Sequence, residues 1–112
     1  VEVVSDDKKL LKQASDDTVA KKELGAEQAK KLGMRVAELK SVDTIEELLA
    51  GTGRWELLLQ NRAGTYSGRL NGNCRLIVKF ELEDSEGDEE HVNVVHACLL
   101  EIVDYHEKKN KR

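Results

Sequence analysis

The sequence predicts an α+β fold, with a short N-terminal strand and helices packed on a mostly antiparallel β-sheet. Three observations carry that expectation. Apolar residues recur at three- and four-residue steps as far as about residue 50, and at two-residue steps beyond Gly53. These are the periods of helix and strand. All four aromatics, Trp55, Tyr66, Phe80 and Tyr105, lie in the second half. Asn71-Gly72 stands between two alternating runs, the pair that a tight type I′ hairpin selects because both central residues need positive φ. One domain covering residues 1–112 is expected, since 112 residues and 12.6 kDa match one hydrophobic core.

Val1-Glu2-Val3-Val4 reads as a short strand. Ser5 stands where an N-cap is expected, with Asp6 and Asp7 suited to the positive end of the helix dipole. Leu10, Leu11 and Ala14 give this helix its apolar side. Ser15 or Asp16 is expected to cap a second helix, which Gly25 ends. A longer helix follows over about 26–40, with Ala29, Leu32, Val36 and Leu39 on one face. Lys30, Lys31, Arg35 and Lys40 are assigned to its solvated surface. Asp43 and Glu46 have capping-box spacing ahead of a short helix that buries Ile45, Leu48 and Leu49.

Gly51 and Gly53 break the helical pattern. Trp55, Leu57 and Leu59 then alternate with Glu56, Leu58 and Gln60 as a first meander strand, and residues 61–64 read as a turn. Residues 65–70 form the next strand. Cys74, Leu76, Val78, Phe80 and Leu82 share one face of the third, opposite Arg75, Ile77, Lys79 and Glu81. The acidic stretch 83–90 is expected as a solvated loop. The last strand spans about 91–103, interrupted near residues 96–99 where alternation fails. The polar tail 107–112 is expected to fray.

Hydrophobic residues at 39% and charged residues at 36% predict a soluble globular protein. No apolar run approaches the roughly 20 residues of a membrane span. No secretory signal is visible, and a cytoplasmic location is expected. Cys74 and Cys98 lack metal-ligand spacing and read as two reduced thiols. No metal or other cofactor is expected. The net charge of −4 is uneven. Residues 81–90 hold seven acids and no base, leaving 18 bases against 15 acids elsewhere. The body is therefore mildly basic.

No phosphate-cradling glycine loop, zinc motif or nucleophile elbow is present. Pairing the third strand antiparallel with the last through the 83–90 loop brings the start of one to the end of the other. Arg75 is thereby expected near Tyr105 and His106. Arginine can hold a phosphate and stabilise charge developing on it, histidine can move a proton near neutrality, and tyrosine can stack on a base. Each also has an ordinary role, as surface charge, exposed histidine or core edge.

Asn71-Gly72-Asn73-Cys74-Arg75-Leu76-Ile77-Val78, with Glu101-Ile102-Val103-Asp104-Tyr105-His106 at the end, resembles the HigB toxins of the RelE/ParE superfamily. Asn61-Arg62-Ala63-Gly64-Thr65-Tyr66-Ser67 resembles the turn and strand before that hairpin. The helical half agrees in order and length. The resemblance implies a RelE-like fold and a toxin of a type II toxin–antitoxin system. It implies a ribosome-dependent, metal-independent endoribonuclease that cleaves mRNA in the ribosomal A site by attack of the 2′-hydroxyl on the adjacent phosphate. A HigA-like helix-turn-helix antitoxin, the ribosome and mRNA are the implied partners. Arg75, Tyr105 and His106 are the implied catalytic residues, and Asp104 would tune His106 or contact substrate. Arg54, Arg62 and Arg69 would add phosphate charge. One position departs from the family pattern: residues 55–60 carry no base where the family commonly has lysine or histidine. Two other roles fit the same fold, a ParE-like gyrase poison and a catalytically inert relative that only binds an antitoxin. The Asp104-Tyr105-His106 ending favours the nuclease.

Overall fold

In the computed structural model, described for residues 1–59, 62–83 and 92–104, one mixed five-stranded sheet carries four helices on one face. The elements in chain order are β1 (Glu2–Val4), α1 (Lys8–Ser15), α2 (Asp17–Leu24), α3 (Ala26–Ser41) and α4 (Ile45–Leu49), followed by β2 (Glu56–Leu57), β3 (Tyr66–Arg69), β4 (Cys74–Leu82) and β5 (Val94–Asp104). The strands lie in the order β1-β5-β4-β3-β2. β2 to β5 form an antiparallel meander, and β1 joins β5 in parallel. This is the predicted fold class. Among the described residues no helix is long and apolar enough to cross a membrane.

The helix ends follow local hydrogen-bond chemistry. Asp7, rather than Ser5, caps α1 by accepting from the Leu10 N–H at 3.1 Å. Ser5 has a different task. Its hydroxyl donates to the Leu99 carbonyl at 2.7 Å and accepts from the Asp7 N–H, fastening the first connection to β5. Asp16 accepts from Thr18 and Val19 to start α2. Gly25, at φ 89°, both closes α2 and opens α3, a conformation open to a residue without a β-carbon. The capping box of α4 lies one residue later than the spacing of Asp43 and Glu46 suggested. Thr44 accepts from the Glu47 N–H, and the Glu47 carboxylate accepts from the Thr44 N–H. The Glu47 carboxylate also accepts from the Asp43 N–H, and the Asp43 carbonyl accepts from the Val94 N–H at 2.8 Å, tying this residue to the start of β5.

The core forms where the α3 stripe meets the helix-facing side of the sheet. Leu32, Val36 and Leu39 pack with Tyr66, Leu76, Val78, Ala97 and Leu99, all buried. Tyr66 meets Phe80 edge to face, with ring centroids 5.3 Å apart, a favoured aromatic geometry. Gly68 lies beneath the Trp55 ring; a β-carbon there would stand 2.8 Å from ring carbons. Both cysteines are free thiols.

Three strand details depart from expectation. The first meander strand shrinks to two residues, Leu57 and Leu59 are exposed, and Gln60 lies outside the described residues. The chain turns back early: Thr65 donates through both its N–H and its hydroxyl to the Arg62 carbonyl, and Gly64 takes φ 88°. The β3–β4 connection is not a type I′ turn, since neither Asn71 nor Gly72 has positive φ. The Asn71 side chain instead accepts from the N–H groups of Asn73 and Cys74, an Asx turn that mimics backbone pairing. β5 is not interrupted. Its register against β4 shifts between Ile77 and Val78 and between Glu81 and Leu82. Leu100 and Val95 are the extra residues, and both are exposed, so two bulges account for the broken alternation. The acidic stretch beyond Glu83, His91 and the tail 105–112 lie outside the described residues.

Candidate functional site

The register of the meander sorts the polar side chains onto the two sides of the sheet. On β4, Cys74, Leu76, Val78 and Phe80 face the helices, so Arg75, Ile77, Lys79 and Glu81 face away. Arg69 pairs with Arg75, and Arg75 with Val103; Glu56 pairs with Ser67, Ser67 with Ile77, and Ile77 with Glu101. This outer face is the candidate site. It brings together Arg69, Arg75, Glu56 and Glu101.

Arg69 and Arg75 sit directly opposite each other on neighbouring strands. Like charges in that relation destabilise a sheet. Arg75 is half-buried and turns its Nη1 toward the hairpin, donating to the carbonyls of Asn71 at 2.8 Å, Cys74 at 3.1 Å and Gly72 at 3.3 Å. That fixes the guanidinium plane. A guanidinium has five N–H donors, and those on Nε and Nη2 make no hydrogen bond among the described residues. Arg69 is exposed. Its own N–H holds the preceding loop, donating to the Gly53 carbonyl at 3.0 Å.

Arg62 is used differently. From the β2–β3 connection it reaches Glu101 on β5 at 2.6 Å. β4 lies between β3 and β5, so this ion pair crosses the outer face over Ile77. Ile77 and Ser67 are buried on this face, where no helix lies among the described residues. The pair is partly exposed and contributes about 0.2–1 kcal/mol.

Asp104 pairs in register with Cys74 rather than with Arg75. That places it on the helix-facing side, separated from the arginines. Its carboxylate adds to burial in pushing the Cys74 thiol above its ordinary pKa, against weaker opposing effects from Asn71, Gln28 and Arg75. Gln28 donates to the Cys74 sulfur at 3.3 Å. Tyr105 and His106 lie outside the described residues. β5 does end beside the start of β4, as the antiparallel pairing required.

Arg54 and Arg69 come together at the end of β3, apart from Arg62. They line a cavity with Lys31 and Arg35 of α3. Arg35, expected on the solvated surface of α3, is 4% exposed. Its Nη1 donates to both Glu38 oxygens, at 3.0 and 2.9 Å, and the Trp55 indole donates to Glu38 at 2.8 Å. Gly53 fits against this trio because a β-carbon would collide with all three side chains. The signal was present: position 35 is three residues after Leu32 and four before Leu39, on the same side of the helix. Sequence reasoning also passed over Glu56. Among the described acids of the outer face, Glu81 pairs with His96 and Glu101 with Arg62, while Glu56 makes no ion pair. Among the described residues no His, Cys, Asp and Glu cluster suits a metal ion.

No protein-family model and no curated protein matches the chain. Solved structures do. A YoeB–YefM complex from Staphylococcus aureus superposes with TM-score 0.57 and 21% identity, over 95% of this chain and 97% of that one. A YoeB/ParE toxin from Agrobacterium tumefaciens gives TM-score 0.54 and 18% identity, over 93% and 98%. A heterotetrameric YoeB–YefM toxin–antitoxin complex from Staphylococcus aureus gives 0.52 and 24%, over 95% and 97%. With the sheet order and the helical layer in place, the chain has the fold of YoeB/ParE-type toxins over 93–95% of its length.

Proposed function

We propose that this protein is the toxin of a toxin–antitoxin pair and cleaves mRNA on the ribosome. The observation that carries the reading is the Arg69–Arg75 pair on the outer face of a toxin-type fold. Two arginines directly opposite each other on neighbouring strands repel until an anion offsets their charge, and a phosphodiester is a fitting anion. Arg75 is held by three carbonyls with donors to spare, so it can meet charge developing on phosphorus without reorganising.

In this reading the 2′-oxygen attacks the adjacent phosphorus, the bond to the 5′-oxygen breaks, and a 2′,3′-cyclic phosphate and a 5′-hydroxyl result. One group must take the 2′-hydroxyl proton and another must protonate the departing oxygen. Glu56, on the same face, takes the first in this reading. His106 supplies the second by the HigB resemblance, and Tyr105 stacks the substrate. Glu56 also stands in the strand where that family commonly has a base, so a carboxylate replaces a cation there. Arg62, tied to Glu101, shapes the face more than it contacts phosphate. The ribosome supplies the in-line geometry that a face with so few bases cannot impose by itself. A helix-turn-helix antitoxin of the HigA kind is the proposed partner, in the cytoplasm.

The Agrobacterium neighbour is described as YoeB/ParE, which favours a second reading as a gyrase poison. Inducing the chain alone in bacteria separates the two. The nuclease reading expects growth arrest with loss of specific mRNAs, relieved by the antitoxin encoded beside it. Arrest with double-strand breaks and intact mRNA would establish the gyrase reading. Normal growth at high expression would count against both.

A further inference from the structure

Between α3, the loop at residues 52–54 and the β3–β4 connection lies a cavity of about 330 Å³, at the lower end of the range for small-ligand sites. Four bases line it, Lys31, Arg35, Arg54 and Arg69, against one acid, Glu27. Among the described residues Lys31, Arg54 and Arg69 make no ion pair. Arg35 is more than nine-tenths buried, and its Nε–H has no hydrogen-bond partner. A buried donor left open is unusual in a folded protein and calls for a ligand or another explanation. Arg69 links this cavity to the outer face, because it sits directly across from Arg75. Arg75, Arg69, Arg54 and Lys31 therefore trace a cationic path from the face around the end of β3 to α3.

We propose that this cavity is a phosphate site that holds a backbone phosphate of the nucleic acid strand next to the phosphate at Arg75. The proposal rests on the nuclease reading and adds to it a second anchoring point, built from Lys31 and Arg35 of the helical layer. Arg54 and Arg69 flank the strand, and Arg35, oriented by Glu38, adds its buried positive charge to the cavity wall. Such a site fixes the register of the strand and leaves the chemistry to the outer face.

The test uses the full chain, labelled with ¹⁵N, and two probes: a short single-stranded 2′-deoxy oligonucleotide, which lacks the attacking hydroxyl, and inorganic phosphate alone. The oligonucleotide should move the Arg35 Nε–H resonance. Lys31→Gln should lower its affinity and reduce the slope of log K against log salt by about 0.7, the value of one single-strand phosphate contact. That slope corresponds to about a 2.6-fold difference between 50 and 200 mM salt. Arg75→Gln should weaken binding separately. If Lys31→Gln leaves the slope unchanged and the Arg35 resonance stays in place while Arg75→Gln still weakens binding, the cavity proposal is overturned and the nuclease reading stands. If inorganic phosphate saturates the Arg35 shift at lower concentration than the oligonucleotide, the site takes free phosphate and the backbone assignment is overturned. If the oligonucleotide does not bind at low salt, or neither variant alters its binding, the cavity proposal is overturned, and the nuclease reading falls with it only if the wild type also fails to cut mRNA on the ribosome.

Discussion

Glu38→Ala is the sharpest probe of how α3 is joined to the sheet. Glu38 accepts from Arg35 and from Trp55 at distances of 2.8–3.0 Å. The Arg35 side chain is 5% exposed and that of Glu38 26%. Removing the acid leaves a buried guanidinium with no countercharge and an indole N–H with no acceptor. Losing one partner of a buried pair costs about 3–5 kcal/mol. Water can enter past the exposed quarter of Glu38, so the lower end, about 3 kcal/mol, is expected. At a urea m-value of roughly 1.5 kcal/mol/M, the midpoint falls by about 2 M. Trp55, the only tryptophan, reports the transition by its fluorescence. The comparison is Asp17→Ala, which breaks the Lys21 pair, whose side chains are 58% and 65% exposed; a loss of at most about 1 kcal/mol is expected there. The double variant Arg35→Met with Glu38→Ala removes both charges and should recover most of the loss. A Glu38→Ala midpoint no lower than that of Asp17→Ala would refute the reasoning.

Three further outcomes are expected. Gly68→Ala drives a β-carbon into the Trp55 ring; overpacking of about 1–3 kcal/mol should lower Tm by roughly 4–12 °C by calorimetry, and an unchanged Tm would contradict the packing described. The folded Cys74 thiol keeps its proton to higher pH than the unfolded one, because of burial and Asp104. Its contribution to stability is therefore intact below the unfolded pKa, about 8.5, and is lost as pH rises from there through the folded value. Urea midpoints measured against pH should fall in that alkaline window, and Cys74→Ala should flatten the decline. Leu76→Ala, at a fully buried position, should cost about 2–5 kcal/mol in chemical denaturation and lose fold and activity together; unchanged stability would count against the core assignment.

The fold was legible in the sequence because hydrophobic period reports burial directly. The α3 stripe and the alternation of β4 each state which side faces the core, and both were read correctly. What failed depended on competition for backbone groups. Ser5 has the chemistry of a cap, but the Leu99 carbonyl claims its hydroxyl. Asp43 has capping-box spacing with Glu46, but Glu47 reaches back to the Asp43 and Thr44 N–H groups and Thr44 takes the cap. Asn71-Gly72 promises positive φ, but the Asn71 side chain supplies the turn's hydrogen bonds instead. The candidate site was legible only in part. Arg75 and Arg69 follow from alternation. The involvement of Lys31 and Arg35 requires knowing that α3 packs beside the loop at Gly53, a contact between residues distant in sequence. Arg62 looks like phosphate charge in the sequence because its partner Glu101 lies 39 residues away.

The central claim is that the outer sheet face performs RNA cleavage through Arg75. It is tested most directly with purified protein, programmed ribosomes and a defined mRNA, with products mapped by primer extension. The wild type should cut the message on the ribosome and leave cyclic phosphate ends. Arg75→Gln should fold with an unchanged urea midpoint and cut about 10²–10³-fold more slowly, the usual loss when one preorganised donor to a developing charge is removed. Cleavage by Arg75→Gln at the wild-type rate, or no cleavage by the wild type on any message, would contradict the account.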